Sequence, residues 1–141
     1  MSENQNRILG IDFGLKRIGL ALSDPLRIFA YPFMTIPNDD KLWQKLLQII
    51  KDNSVEKIVL GYPLRFNREK THITDDVIDF KDKIIKKSNL EVILWDETFT
   101  SEIAQRNIIL SVNKKSKRKD KGIIDRNSAS IILQEYLDQK R

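Results

Sequence analysis

Three short apolar runs lie end to end near the N-terminus, and no stretch between them is long enough for a helix. Ile8-Leu9-Gly10-Ile11-Asp12-Phe13 has the length and composition of a buried strand, and Gly14 punctuates it. Arg17 to Ser23 reads as a second strand. Asp24-Pro25 is a turn signal, and Arg27 to Ile36 reads as a third. Consecutive strands with such short breaks predict an antiparallel meander.

From Pro37 onward the pattern changes. Pro37-Asn38-Asp39-Asp40 supplies helix-start chemistry, and Leu42, Trp43, Leu46, Leu47 and Ile50 keep helical spacing. Lys57 to Leu60 is a strand ending at Gly61-Tyr62-Pro63, followed by a helix from about Thr74 to Lys87. Glu91 to Trp95 is a fifth strand. Thr100 or Ser101 could cap a helix carrying Ile103, Ala104, Ile108 and Leu110, and a last helix runs from about Asp125 to Leu137. A meander followed by strand–helix crossovers predicts an α/β fold. Its mixed five-stranded sheet has an antiparallel three-strand meander, then parallel strands, with helices on both faces. No repeat or linker interrupts the chain, so residues 1–141 read as a single domain. Trp43 and Trp95 read as core, and His72 as a helix-start or surface residue.

Charge is distributed unevenly. Lys114, Lys115, Lys117, Arg118, Lys119 and Lys121 stand against Asp120 alone, which accounts for the whole net charge of +5; the remainder balances at 19 against 19. A basic run of this kind favours polyanions such as nucleic acid, the alternative being a solvated loop. The chain has no Cys and one His, so a thiol nucleophile and a Cys- or His-rich metal site are both excluded. Any metal would take oxygen ligands. No apolar run approaches a membrane span, and the first residues lack a signal-peptide layout. A cytoplasmic protein, monomer or weak dimer, with no membrane partner is expected.

Three acids occupy awkward positions. Asp12 interrupts the most apolar strand, where an unpaired carboxylate is costly. Glu97 stands where the fifth strand ends, and strand alternation sends it and Asp96 to opposite faces. Asp125 opens the last helix. Taken singly, Asp12 could be a structural acid, Glu97 a solvated strand end and Asp125 a helix cap. Taken together, they could meet at the carboxyl ends of the strands as a hard-oxygen cage for Mg²⁺ or Mn²⁺. Two such ions about 3.5–4 Å apart suit phosphodiester hydrolysis.

Residues Ile8 to Pro25, with Asp12-Phe13-Gly14-Leu15-Lys16-Arg17-Ile18-Gly19, resemble the opening motif of the YqgF/RuvX family. Ile58 to Leu64, Asp96 to Ser101, and Asp125 to Leu137 with Ser128-Ala129 and Tyr136-Leu137 match further blocks in order and spacing. The resemblance spans roughly Arg7 to Asp138. It implies an RNase H-like fold and a metal-dependent nuclease. The family was first regarded as Holliday junction resolvases and is now associated with maturing the 5′ end of pre-16S ribosomal RNA. It places the catalytic and metal-binding acids at Asp12, Glu97 and Asp125, and a phosphate contact at Lys16 and Arg17. Pre-rRNA, in free form or in a pre-ribosomal particle, is the implied partner. Thr98 stands where the family commonly has Arg, and Arg65-Phe66-Asn67-Arg68 where it tends to have Gly. A structure-selective DNA nuclease and a non-catalytic RNA-binding module are the rival readings. The Asp12-Phe13-Gly14 run also resembles the phosphate loop of actin/hexokinase-type ATPases, which need two such domains.

Overall fold

In the computed structural model, which describes residues 6–62, 72–96 and 121–140, the apolar N-terminal run becomes the centre of the sheet. β1 (Arg7–Asp12), β2 (Arg17–Ser23) and β3 (Ala30–Pro37) form the antiparallel meander. β4 (Val55–Tyr62) joins the other edge of β1 in parallel, and β5 (Glu91–Asp96) joins β4 in parallel, giving the order β3-β2-β1-β4-β5. The remaining elements are α1 (Leu42–Asp52), α2 (His72–Ser88) and α3 (Lys121–Gln139).

Strand alternation divides the core in two. Leu9, Ile11, Ile18, Leu20, Ile58 and Leu60 face α1 and α2, packing with Leu46, Phe80 and Ile84. Ile8, Ala21 and Val59 face α3, packing with Ala129, Ile132, Leu133 and Tyr136. A central strand covered on both sides must be apolar at nearly every position, which is why β1 reads as one continuous run. The sheet with helices on both faces is therefore as the sequence predicts.

Several boundaries differ from expectation. The third strand begins at Ala30 rather than Arg27. Asp24 Oδ1 accepts from the amides of Ile28 and Phe29 at 2.8 Å each, and Arg27 takes a left-handed φ of 59°, so these residues are spent on the turn. The last helix begins at Lys121, not Asp125. Gly122 costs it only about 1 kcal/mol, less than its apolar face returns. Asp125 thus lies in the second turn, which removes the helix-cap reading. β4 extends past Lys57 and Leu60 at both ends. Trp43 and Trp95 are half-buried, packed against the two core clusters rather than enclosed by them. The helix expected over Ile103 to Leu110 lies outside the described residues.

Candidate active site

Asp12 is the last residue of β1, and the alternation Ile8, Gly10, Asp12 places it on the α3 face. Its two cross-strand neighbours are both glycines, Gly19 on β2 and Gly61 on β4. The absence of side chains there is structural as well as permissive. A Cβ on Gly19 would overlap the carbonyl of Asp125 and come within 2.9 Å of the Arg126 amide nitrogen. A Cβ on Gly10 would lie 2.8 Å from Leu133 Cβ and 3.0 Å from the Ala129 carbonyl oxygen. The backbone of α3 therefore rests on the sheet at these glycines. Asp125 comes to lie over the strand position paired with Asp12, although 113 positions separate the two in sequence.

One cation contacts this pair directly. Arg17, the first residue of β2, donates from Nε to Asp125 Oδ2 at 2.9 Å. Lys16 is exposed in the turn before it. That turn is tied by Asn38, whose backbone amide donates to the Lys16 carbonyl and whose side-chain amide donates to the Gly14 carbonyl, both at 2.9 Å. Arg126 donates to Thr35 Oγ1 at 3.4 Å. One turn after Asp125, Ser128 is buried on α3, and its Oγ has no hydrogen-bond partner among the described residues.

The structure thus brings together Asp12, Asp125 and Arg17 from the sequence-predicted set, with Lys16 exposed in the turn that precedes Arg17. Glu97 and Lys114, Lys115, Lys117, Arg118 and Lys119 lie outside the described residues, and Lys121 is the first residue of α3. Among the described residues no group of three or more acids or histidines could hold a metal. Two carboxylate-bearing residues, placed by separate elements beside a guanidinium group, fit hard cations and phosphate oxygens. Sequence reasoning did not single out Arg126, nor the glycines as a seat for the helix. Their signal was the spacing Gly10, Asp12, Gly19, with small residues on one sheet face.

A mixed sheet of this order, with an acid at the end of its central strand, defines the RNase H-like class. The architecture is shared by the fowlpox virus resolvase solved with Holliday junction DNA, which has a TM-score of 0.59 at 15% identity, covering 95% of this chain and 98% of that one. It is shared also by T. thermophilus RuvC solved with a Holliday junction substrate, with a TM-score of 0.60 at 12% identity and 95% coverage of each. The sequence profile of the RuvX family, described as Holliday junction resolvase, matches residues 6–139, and the chain belongs to that family. Its curated relatives include proteins named as candidate pre-16S rRNA nucleases. That of Endomicrobium trichonymphae is 45% identical over 135 residues, covering 94% of this chain and 96% of the relative. That of Sulfurihydrogenibium sp. is 40% identical over 136 residues, covering 95% and 91%.

Proposed function

We propose that the chain, as a single domain of this family, is a metal-dependent nuclease that trims the 5′ end of pre-16S rRNA in the cytoplasm. The observation that carries the reading is the seating of Asp125 on Gly19, directly beside Asp12, at a cation-lined end of the sheet. The names of the whole-length relatives favour RNA over branched DNA as substrate.

Asp12 and Asp125 are assigned as metal ligands, with Glu97 as the third. β5 supports that third assignment, because Ile93 and Trp95 pack on the α3 face and Glu97 follows at the same parity in the sequence. Hard divalent ions at such a cage, Mg²⁺ or Mn²⁺, supply Lewis-acid polarisation of the phosphate and an acidified water. The chain's own residues do the rest. Lys16 and Arg17 neutralise the phosphate that enters beside Asp12, and Lys114 to Lys121 hold the flanking backbone. The α3 face of β1 excludes bulk water from below, since Ile8, Ala129 and Leu133 fill it.

The test is cleavage of precursor 16S RNA and of branched DNA by the purified chain, with Mg²⁺, Mn²⁺ or EDTA. RNA cleavage should require the ion. Asp12→Asn should slow it at least about 100-fold, equivalent to roughly 2.7 kcal/mol of barrier, with the fold intact. Cleavage that persists in EDTA, or at full rate in Asp12→Asn, overturns the metal cage. Cleavage of branched DNA alone overturns the RNA assignment.

A further inference from the structure

Ser128 carries a buried hydroxyl that none of the described elements uses. It is 1% exposed, and it is the one buried side-chain polar atom lacking a hydrogen bond among the described residues. Folded interiors pair nearly all such groups, because an unsatisfied one forfeits its hydration without return.

Helix geometry fixes where on α3 this hydroxyl sits. Seven residues make close to two turns, so Ser128 shares a stripe with Glu135. Glu135 accepts from Trp95 Nε1 of β5 at 3.4 Å. The opposite flank carries Arg126 and Gln134, which bond to Thr35 and Ala30 of β3. Ser128 therefore stands on the β4–β5 side of α3. It is also three residues from Asp125, the spacing of neighbours on a helix surface. On the sheet at the level of Asp12, the β4 residue is Gly61, flanked in register by Asp12 on one side and Trp95 on the other. Gly61 follows Val59 in alternation and so faces α3 without a side chain. An unpaired hydroxyl and a missing side chain thus lie on the β4–β5 side of the helix, beside the strand pair that ends at Asp12 and one helical turn from Asp125.

We infer that Ser128 is a positioning residue of the metal site, its hydroxyl bonding a water in the hydration shell of the ion held by Asp12 and Asp125. The inference rests on the metal-cage reading above. A serine hydroxyl can both donate to a carboxylate and accept from a bound water, and groups just outside the ligand set commonly change metal affinity by about tenfold or more. A competing role is local: a helical serine can turn its hydroxyl to the carbonyl four residues earlier. Such a bond would be present with or without metal.

The two roles separate in the full-length chain with wild type, Ser128→Ala and Asp12→Asn, by Mn²⁺ titration calorimetry and by melting with and without Mn²⁺. In Ser128→Ala the metal-free Tm should stay level or rise, since an unpaired buried group has been removed. Mn²⁺ affinity should fall about tenfold, and the Tm increment on adding Mn²⁺ should shrink accordingly. A lowered metal-free Tm, or Mn²⁺ affinity equal to wild type, overturns the assignment of Ser128. If wild type shows no saturable Mn²⁺ binding that Asp12→Asn abolishes, the metal cage falls and the role of Ser128 falls with it. If that control holds and Ser128→Ala binds like wild type, only the serine assignment is lost.

Discussion

Arg17 Nε donates to Asp125 Oδ2 at 2.9 Å, joining the start of β2 to the second turn of α3 across 108 positions of sequence. The side chains are 38% and 23% exposed, so water competes with the pair and its contribution to stability is about 0–1 kcal/mol. Asp125 is thus oriented by a contact that is inexpensive to release, as suits a carboxylate proposed to face an ion.

Arg17→Gln should therefore keep the fold, with stability within about 1 kcal/mol of wild type. RNA affinity should fall, because a phosphate partner is lost. Mn²⁺ affinity should hold or rise, because a competing cation has left Asp125. Melting, RNA binding and calorimetry on one preparation check all three. A large drop in Tm would make the pair structural.

The glycines are ranked by what a methyl group would meet. Gly19→Ala puts a carbon into the Asp125 backbone, which cannot turn aside. A loss of about 1–3 kcal/mol or more is expected, together with loss of cleavage as Asp125 is displaced. Gly10→Ala meets Leu133 Cβ and the Ala129 carbonyl at 2.8 and 3.0 Å, so smaller shifts relieve it. Chemical denaturation should order the two variants accordingly. The reverse order would mean that α3 rests on the sheet elsewhere.

Asp24 supplies an acid-sensitive element. Burial alone would raise its carboxyl pKa, but the backbone amides of Phe29, Ile28 and Leu26 outweigh burial and hold it below the ordinary carboxylate value. The folded state therefore favours the ionised form more than the unfolded chain does. That stability is fully present above the unfolded value of about 4 and is lost as pH falls through the depressed folded value. Asp24→Ala should cost about 1–2 kcal/mol at pH 7 through the 2.8 Å bonds from the Ile28 and Phe29 amides. Asp24→Asn should cost less and should flatten the loss of stability below about pH 4. Melting from pH 7 to pH 2 distinguishes them, and an unchanged acid slope in Asp24→Asn would rule out this carboxylate as its source.

The meander, the mixed sheet and the place of Asp12 at the end of an apolar strand were legible because each rests on local pattern: alternation, turn residues, and an acid in an apolar run. The start of the third strand was not. Asp24 satisfies the amides of Ile28 and Phe29 through its side chain, and an apolar run gives no sign of that. Nor was the start of α3, expected at about Asp125, because the helix takes in Gly122 and begins at Lys121. The pairing of Arg17 with Asp125 depends on a helix returning to β2 from the far end of the chain, and no local signal encodes that. The order Gly10, Asp12, Gly19 did encode the seat, in the form of positions where side chains are absent.

The end of β5 offers a ranking of two adjacent acids. Glu97→Gln should abolish cleavage while Asp96→Asn retains most of it, because Glu97 shares the parity of Ile93 and Trp95. Single-turnover rates measure this directly. The reverse ranking would place the change of face one residue earlier.

Residues Lys114 to Lys121 carry the whole net charge. If about four of these cations meet phosphates, log affinity should fall against log salt with a slope of roughly −3 to −4. Replacing four of them with Gln should flatten the slope by about that amount. Cleavage at saturating RNA and low salt should stay within a few-fold of wild type. A wild-type slope in that variant would leave the run as a solvated segment.

The contact of α3 with Gly10 and Gly19 also governs how the protein fails. Where side chains separate a helix from a sheet, small rotamer changes let the helix creep. Here main chain rests on main chain, and that cushion is missing. Asp125 cannot drift away from Asp12 by degrees; the helix must lift off β1 and β2 as a block, exposing Ala129, Leu133 and Ile8 together. Separation of Asp12 from Asp125 and rupture of the smaller core are then one cooperative event. On warming, such an enzyme keeps its full turnover up to the edge of melting and then loses activity and structure at the same temperature.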